Sequence, residues 1–152
     1  MISMEFKRYT GTERFQTEAC SEEDKQIILD GLLRYNHSMV PQGKTGQHMD
    51  LSRKIVDEKG EVIGGIIAVM YGWGCACVDI LWVSGEHRKD GLGSLLLESV
   101  ENAARENGGK LIHLDTFDFQ ARDFYIKHGY ELFGCLDDCP EGHKRYYLKK
   151  KL

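Results

Sequence analysis

The spacing of apolar residues predicts one helix near the start of the chain and a loop after it. Apolar side chains recur at helical intervals from Ile27 to Tyr35. They follow Ser21 and Asp24, whose three-residue spacing resembles a capping box. We therefore predict a helix from Ser21 to about Tyr35. The next segment, Asn36–Gln47, contains one proline and two glycines and is predicted to be a loop.

Three extended segments separated by short turns predict an antiparallel meander. The first, Asp50–Asp57, is turned back by an Asp-Glu-Lys-Gly sequence into Val62–Tyr71, which is too apolar to have one face in water. A Gly-Trp-Gly turn then leads into a third strand, Cys75–Val83.

A long amphipathic helix is predicted to begin near Leu92 and to stop at Gly108-Gly109. Its apolar positions repeat at helical spacing, and charged or amide side chains occupy the positions between them. The predicted apolar face consists of Leu92, Leu95, Leu96, Val100, Ala103 and Ala104, and the predicted polar face of Glu98, Glu101, Asn102 and Arg105.

The remaining pattern predicts a strand over Lys110–Thr116, a short helix over Gln120–His128, and final strands over Tyr130–Phe133 and His143–Lys150. This order predicts an α+β fold with a central mixed sheet of about seven strands. An antiparallel meander is followed by a βαβ unit, so the sheet is parallel only at the central crossover. About four helices flank the sheet, in a single domain spanning residues 1–152.

Length and composition limit the class of protein. A chain of 152 residues is long enough for one domain with its own core. The net charge of −4 argues against a nucleic-acid surface and is compatible with a cationic substrate. The longest strongly apolar run, Val62–Met70, is much shorter than the roughly 20 residues of a membrane helix. We therefore expect a cytoplasmic protein without a membrane or nucleic-acid partner, whose five cysteines are reduced.

The sequence Arg88-Lys89-Asp90-Gly91-Leu92-Gly93 joins the third meander strand to the long helix. A glycine-containing turn at a helix start leaves backbone N–H groups without intrahelical partners. Together with the positive end of the helix dipole, these donors predict a site for a phosphate or pyrophosphate.

Two motifs resemble those of the GNAT N-acetyltransferase superfamily, and the segments Leu114–Ala121 and Gly142-His143-x-Arg145-Tyr146 resemble a subgroup of small bacterial members. The first is Arg88-x-x-Gly91-x-Gly93 after a strand. The second is Ala121-x-x-x-Tyr125-x-x-x-Gly129-Tyr130, at the expected distance downstream. The two motifs in their strand–turn–helix context are far more specific than either alone.

The resemblance implies acetyl-CoA as the acyl donor. Its pyrophosphate is expected on the turn, where Gly91 and Gly93 allow close backbone approach. Its pantetheine arm is expected to pair with the strand ending at Val83, because that strand and its parallel neighbour splay apart in this family. The predicted donor-site residues are Leu81, Val83, Arg88, Lys89, Asp90, Gly91, Leu92, Gly93, Ser94, Gln120 and Phe124.

The resemblance also implies direct attack of a neutral amine on the thioester. Tyr125 matches the family tyrosine that protonates the departing thiolate. The general base is open between Asp79, predicted to share strand parity with Leu81 and Val83, and Asp115 on the neighbouring strand. The predicted catalytic residues are Tyr125 and Asp79, and the predicted acceptor-binding residues are Tyr35, Asn36 and Asp115. Asp118 departs from the family pattern, which often has asparagine there.

These observations predict an acetyl-CoA-dependent N-acetyltransferase acting on a primary amine of a small molecule. The alternatives are an acetyltransferase acting on a protein or peptide amine, and a non-catalytic acyl-CoA-binding or sensor module. A homodimer is a family expectation. No metal is expected, because Cys135-x-x-x-Cys139-x-x-x-His143 is not a common zinc spacing. The sequence does not identify the acceptor, so antibiotic, polyamine, amino-acid and peptide amines all remain open.

Overall fold

The computed structural model describes residues 17–41 and 48–152. The chain divides into two compact units, Met1–Pro41 and Gln42–Leu152. Each unit is described by itself, and the single domain stays a prediction. None of the described helices is long and apolar enough to cross a membrane.

The first unit contains helix α1, Glu22–Met39. The capping box is present: the Asp24 backbone N–H donates to the Ser21 hydroxyl at 3.1 Å, and the Ser21 N–H donates to the Asp24 carboxylate at 2.8 Å. The predicted start is confirmed, but the helix continues past its predicted end. Asn36 therefore lies in the helix rather than in a loop, because nothing breaks the backbone pattern before Pro41. Positions 42–47 of the predicted loop lie outside the described residues.

The second unit is built on one seven-stranded sheet with the order β1-β3-β4-β5-β7-β6, in which β2 also pairs with β3. Among the strand pairs of the described residues, only β4 and β5 are parallel, so the predicted α+β architecture with its central crossover is confirmed. The strands are β1 Met49–Asp50, β2 Arg53–Val56, β3 Val62–Tyr71, β4 Cys75–Val83, β5 Leu111–Phe117, β6 Glu131–Asp137 and β7 Lys144–Lys151.

The predicted first meander strand is in fact two short strands, β1 and β2, on the same edge of β3. The break falls at Leu51 and Ser52. The Asp50 carboxylate accepts a hydrogen bond from the Ser52 backbone N–H at 2.8 Å, and this local bond competes with the strand ladder. Leu51 turns into the core, where only 1% of its surface is exposed.

Helix α2, Leu92–Glu106, connects β4 to β5 after a 3₁₀ turn at Gly85–His87, and helix α3, Arg122–Lys127, connects β5 to β6. Within the described residues there are thus three α-helices. The Gly108-Gly109 stop is confirmed: Gly108 has φ +81°, and a Cβ on Gly109 would lie 2.7 Å from the Ala104 carbonyl oxygen. Both values require glycine at the end of α2.

Helix α2 covers β3 and β4, but its buried face differs from the predicted one. Leu97 and Glu101 are buried, whereas Leu95 is 56% exposed. Glu101 can lie on the buried face of α2 because β7 and Tyr130 supply polar partners for its carboxylate. The Tyr130 hydroxyl donates to it at 3.0 Å, and the Lys150 ammonium donates to it at 2.7 Å. The buried residues of α2 are Leu96, Leu97, Val100, Glu101 and Ala104.

Candidate functional site

The sheet opens between β4 and β5. The two strands pair only from Cys75 opposite Leu111 to Val78 opposite Leu114. Beyond this point β4 stays with β3 as far as Val83. Strand β5 stays with β7 as far as Phe117. A gap is therefore bounded by residues 79–83 of β4 and 115–117 of β5, as the family resemblance implies.

A bulge at Asp79 lies where this gap begins. Ile67 of β3 is opposite Ile80, and Ala68 is opposite Val78, so Asp79 is the extra residue. The predicted parity of Asp79 with Leu81 and Val83 is wrong, because the bulge shifts the alternation of faces at this position. A bulged strand bends and twists more strongly, which helps β4 to leave β5.

The Asp79 carboxylate is exposed beside a cysteine of the same strand. The Cys77 sulfur lies 3.6 Å from a carboxylate oxygen of Asp79. Burial, and then the negative charge of Asp79, raises the pKa of the Cys77 thiol to about 11. Cys77 is therefore a protonated thiol near neutral pH rather than a nucleophilic thiolate.

The turn after β4 leads into a helix start without a side-chain cap. Gly91 is the N-cap of α2, with φ +79°, and no acidic residue lies in the first turn. The first N–H groups of α2 thus lack the side-chain acceptor that helices commonly provide. Lys89 also has positive φ, at 75°. An anion at such a helix start receives both hydrogen bonds and the favourable end of the helix dipole.

Two side chains of this turn have partners within the turn or strand. The Arg88 guanidinium donates to the Val83 carbonyl oxygen at 3.3 Å, which ties the turn to the end of β4. The Asp90 carboxylate lies 3.8 Å from the His87 ring nitrogen, and its side chain is 61% exposed. This exposure allows water to screen the carboxylate from an anion at the helix start.

Helix α3 packs against the first turn of α2. A Cβ on Gly93 would lie 3.5 Å from the Phe124 ring. His128, which sequence reasoning did not assign, reaches the Phe124 carbonyl oxygen at 2.7 Å and the Ser94 hydroxyl at 2.9 Å. Its place just before the Gly129-Tyr130 pair was visible in the sequence, but its contact with Ser94 depends on how the two helices pack.

Tyr125 is 6% exposed, and its ring contacts those of Phe124 and Tyr130. Burial, followed by the negative charge of Asp115, raises the pKa of Tyr125 to about 12. Asp115 lies on the part of β5 that has separated from β4, so the charge that acts on the Tyr125 hydroxyl is located at the gap.

Asp115 is neutralised by a cation that sequence reasoning did not assign. The Arg145 guanidinium donates to the Asp115 carboxylate at 2.7 Å. This hydrogen bond raises the pKa of Arg145 above its ordinary value. The guanidinium also lies over the rings of Phe117 and Tyr147, at 5.4 and 5.7 Å from their centroids. The Gly-His-x-Arg-Tyr sequence at the end of the chain contained Arg145 but did not indicate its partner.

Gln120 and Asp118 hold the connection between β5 and α3. The Gln120 side-chain oxygen accepts from the Phe117 N–H at 2.9 Å and from the Thr116 hydroxyl at 3.2 Å. Asp118 accepts from His143 at 2.9 Å. Burial alone would raise the pKa of Asp118, but hydrogen bonds from His143 and the Lys144 N–H outweigh it and lower that pKa. Both side chains therefore shape this loop.

All thirteen predicted donor-site and catalytic residues, together with Asp115, lie in the second unit, whereas Tyr35 and Asn36 lie on α1 of the first unit. No group of three or more potential ligand side chains that could hold a metal ion occurs within residues 17–41 and 48–152, and the expected lack of a metal stays a prediction. The residues around the gap and turn are Asp79, Leu81, Val83, Arg88, Lys89, Asp90, Gly91, Leu92, Gly93, Ser94, Asp115, Gln120, Phe124 and Tyr125.

The open edge of β4 and the uncapped start of α2 are the features that the family resemblance predicts. Comparisons with known proteins lead to the same class, an acetyltransferase. The model of the acetyltransferase (GNAT) family matches residues 17–130. Blasticidin-S acetyltransferase of Streptomyces morookaense is 40% identical over 96 residues, which cover 62% of this chain and 70% of that protein. An acetyltransferase of Agrobacterium fabrum is 26% identical over 136 residues, covering 89% of this chain and 96% of that one.

A solved structure gives the same result. The crystal structure of an acetyltransferase from Bacillus cereus superimposes with a TM-score of 0.83 at 35% identity, covering 90% of this chain and 97% of that chain. The chain therefore belongs to the GNAT acetyltransferase family, and it is an acyltransferase. The predicted family and fold class are confirmed.

Proposed function

We propose that this protein transfers the acetyl group of acetyl-CoA to a primary amine of a small molecule, by direct attack of the amine on the thioester. The observation that carries this proposal is the open edge of β4, which runs directly into the uncapped start of α2. A ligand with an extended amide-containing arm and a pyrophosphate fits such an arrangement, since one end needs strand pairing and the other needs N–H donors.

In the proposed donor complex, the pyrophosphate accepts hydrogen bonds from the backbone N–H groups between Arg88 and Ser94. The pantetheine arm pairs with the main chain near Leu81 and Val83, where β4 has no pairing with β5. A backbone N–H at the same edge polarises the thioester carbonyl and stabilises the oxyanion that forms during attack.

The proposed chemistry has balanced proton transfers. The amine nitrogen bonds to the acetyl carbonyl carbon, the carbon–sulfur bond breaks, and the CoA thiolate takes the hydroxyl proton of Tyr125. With its pKa raised to about 12, Tyr125 is fully protonated near neutral pH and holds a proton for this step. The amine loses one proton to Asp79, directly or through water, and solvent protons restore the tyrosine. Asp115 is the weaker candidate for the base because Arg145 already neutralises it.

A small-molecule acceptor is favoured over a protein. Blasticidin-S acetyltransferase, whose name states a small-molecule substrate, is 40% identical to this chain over the matched residues. The exposed Asp79 carboxylate at the gap also attracts a cationic amine, which must then lose its proton before it can attack. Antibiotic amines are therefore the first class to test.

The experiment is a free-thiol assay with purified protein, acetyl-CoA and a panel of amines. The panel contains blasticidin S, aminoglycosides, polyamines, free amino acids and a peptide with a free N-terminus. We expect thiol release with at least one small-molecule amine and little with the peptide. A clear preference for the peptide would support the alternative acceptor class. CoA binding without turnover of any amine would instead support a non-catalytic acyl-CoA-binding module.

A further inference from the structure

The first turn of α2 is held from outside the helix. Its N-cap residue, Gly91, has no side chain to accept from the first N–H groups, and its first turn has no acidic residue. Helix starts elsewhere commonly gain about 1 kcal/mol from a capping side chain. The conformation of this turn therefore depends on groups that pack against it, and on the anion when one binds.

Helix α3 supplies those groups at two adjacent points. The Phe124 ring lies against Gly93, 3.5 Å from where a Cβ would stand. One residue further along α2, the Ser94 hydroxyl lies 2.9 Å from Nε2 of His128. The imidazole in turn packs against the Phe124 ring, with 4.3 Å between ring centroids.

The hydrogen bonds of His128 determine the role of each ring nitrogen. Nδ1 lies 2.7 Å from the Phe124 carbonyl oxygen, which can only accept, so Nδ1 carries a hydrogen. In the neutral imidazole Nε2 is then an acceptor, and the Ser94 hydroxyl donates to it. One side chain thus connects the end of α3 to the first turn of α2.

We propose that His128 is a positioning residue for the donor site, which holds the first turn of α2 so that its N–H groups point to the pyrophosphate. This inference rests on the proposed function. The contact acts through Ser94 and Phe124, and it also holds α3, which carries Tyr125, against the same turn. His128 itself has no assigned role in the transfer of the acetyl group.

The test uses two substitutions that separate the two hydrogen bonds. His128→Asn keeps a donor near the position of Nδ1 but is too short to reach Ser94. His128→Gln places an amide near the position of Nε2 and keeps that contact. We expect His128→Asn to weaken CoA binding about three- to tenfold, the range for loss of one hydrogen bond, and His128→Gln to stay within about twofold. Calorimetric titration with CoA measures both.

Pantetheine, which lacks the pyrophosphate, is the matched ligand. A positioning role at the turn predicts that His128→Asn leaves the affinity for pantetheine unchanged, whereas general damage to the fold lowers both affinities. Lys127→Asn is the matched control variant, since its side chain is exposed one residue earlier on the same helix. Thermal unfolding confirms that each variant is folded.

A second variant gives an independent measurement. Ser94→Ala removes the other partner, so the double variant Ser94→Ala with His128→Asn should bind CoA no more weakly than Ser94→Ala alone. The inference is overturned if wild-type protein binds CoA and His128→Asn binds it equally well, if pantetheine binding falls in parallel, or if the two losses add. Failure of the wild-type protein to bind CoA would instead overturn the proposed donor, and this inference with it.

Discussion

The chemical properties of the side chains at the gap depend on the groups immediately around them. Tyr125 is a poor acid by its pKa, because burial and the Asp115 carboxylate both oppose formation of a phenolate. The same surroundings keep its hydroxyl protonated near neutral pH, as the proposed general acid requires. Arg145 pairs with Asp115, whereas Asp79 is exposed, and this difference favours Asp79 as the base in the proposed mechanism.

The first prediction concerns the Tyr125 hydroxyl. Tyr125→Phe should lower kcat about 100-fold, the lower end of the range for loss of a general acid, while the affinity for CoA changes little. Steady-state kinetics with CoA titration separates the two quantities. Tyr130→Phe is the control: it removes a buried hydroxyl that donates to Glu101, so it should lower stability and leave kcat nearly unchanged. Equal losses of kcat in both variants would contradict the proposed acid.

The second prediction is the response of Tyr125 to pH. Because its pKa in the folded protein is about 12, above the ordinary 10, the hydroxyl stays protonated across the usual assay range. We therefore expect that ionisation of Tyr125 causes no decrease in kcat up to about pH 10. Any decrease in that range should also be present in Tyr125→Phe. The raised pKa also makes the free energy of unfolding depend on pH. The contribution of the protonated tyrosine to stability is complete below pH 10 and is lost as the pH rises towards 12. A decrease in kcat centred near pH 9 and dependent on Tyr125 would contradict this.

At the scale of elements, α2 is joined to β7 and to the end of α3 by polar groups as well as by apolar packing. Glu101 is 5% exposed and accepts from Tyr130, Lys150 and Arg105. Buried carboxylates cost free energy unless they are paired and hydrogen-bonded. The Glu101 carboxylate is paired with the cations Lys150 and Arg105 and also accepts a hydrogen bond from the Tyr130 hydroxyl. These contacts fix the rotation of α2 against the sheet.

The third prediction follows from this network. Glu101→Ala should lower the free energy of unfolding by about 2–4 kcal/mol, because Lys150 and the Tyr130 hydroxyl lose their acceptor; this is below the usual loss for a fully buried pair, since Arg105 keeps contact with water. Urea denaturation measures the change. Glu98→Ala, an exposed position on the same helix, should change it by less than about 0.5 kcal/mol. Similar losses at the two positions would show that Glu101 makes no special contribution.

At the scale of the whole molecule, the sheet of the second unit is two sets of strands that are joined only over four residue pairs between β4 and β5. The antiparallel set containing β3 and β4 carries Asp79, Leu81 and Val83. The set containing β5, β7 and β6 carries Asp115 and Arg145. The bulge at Asp79 lies where these sets separate, and the proposed donor site lies at the same place.

The fourth prediction tests the bulge. Deletion of Asp79 leaves Ile80–Val83 on their present faces, because it removes the one extra residue of β4. We expect a folded protein in which β4 pairs further along β5 and CoA affinity falls at least tenfold. Calorimetry and amide hydrogen exchange measure the two effects. Asp79→Ala keeps the extra residue, so it should retain CoA affinity and lose only what the carboxylate contributes to catalysis. Equal CoA affinity in the wild type and the deletion variant would contradict a role for the bulge.

Where strong local patterns exist, the sequence alone was sufficient. The bounds of β3 and β4 were predicted to the residue, because long apolar runs end at glycine-containing turns. The start of α1 followed from its capping box. The turn from Arg88 to Gly93 was recognised because its glycines stand between a predicted strand and a predicted helix, and the structure gives Gly91 a positive φ.

Tertiary structure decided which side chains meet. Residues that form the site's contacts are far apart in the chain: Ser94 meets His128 and Asp115 meets Arg145 only through packing of separate elements. The bulge at Asp79 and the burial of Glu101 also depend on partners elsewhere, so periodicity alone misplaced both. Local pattern determined the elements and the family of this protein, because backbone preference and amphipathicity depend on residues that are close together in the sequence. The pairing of charges and the opening of the sheet were decided by packing between elements that no local pattern contains.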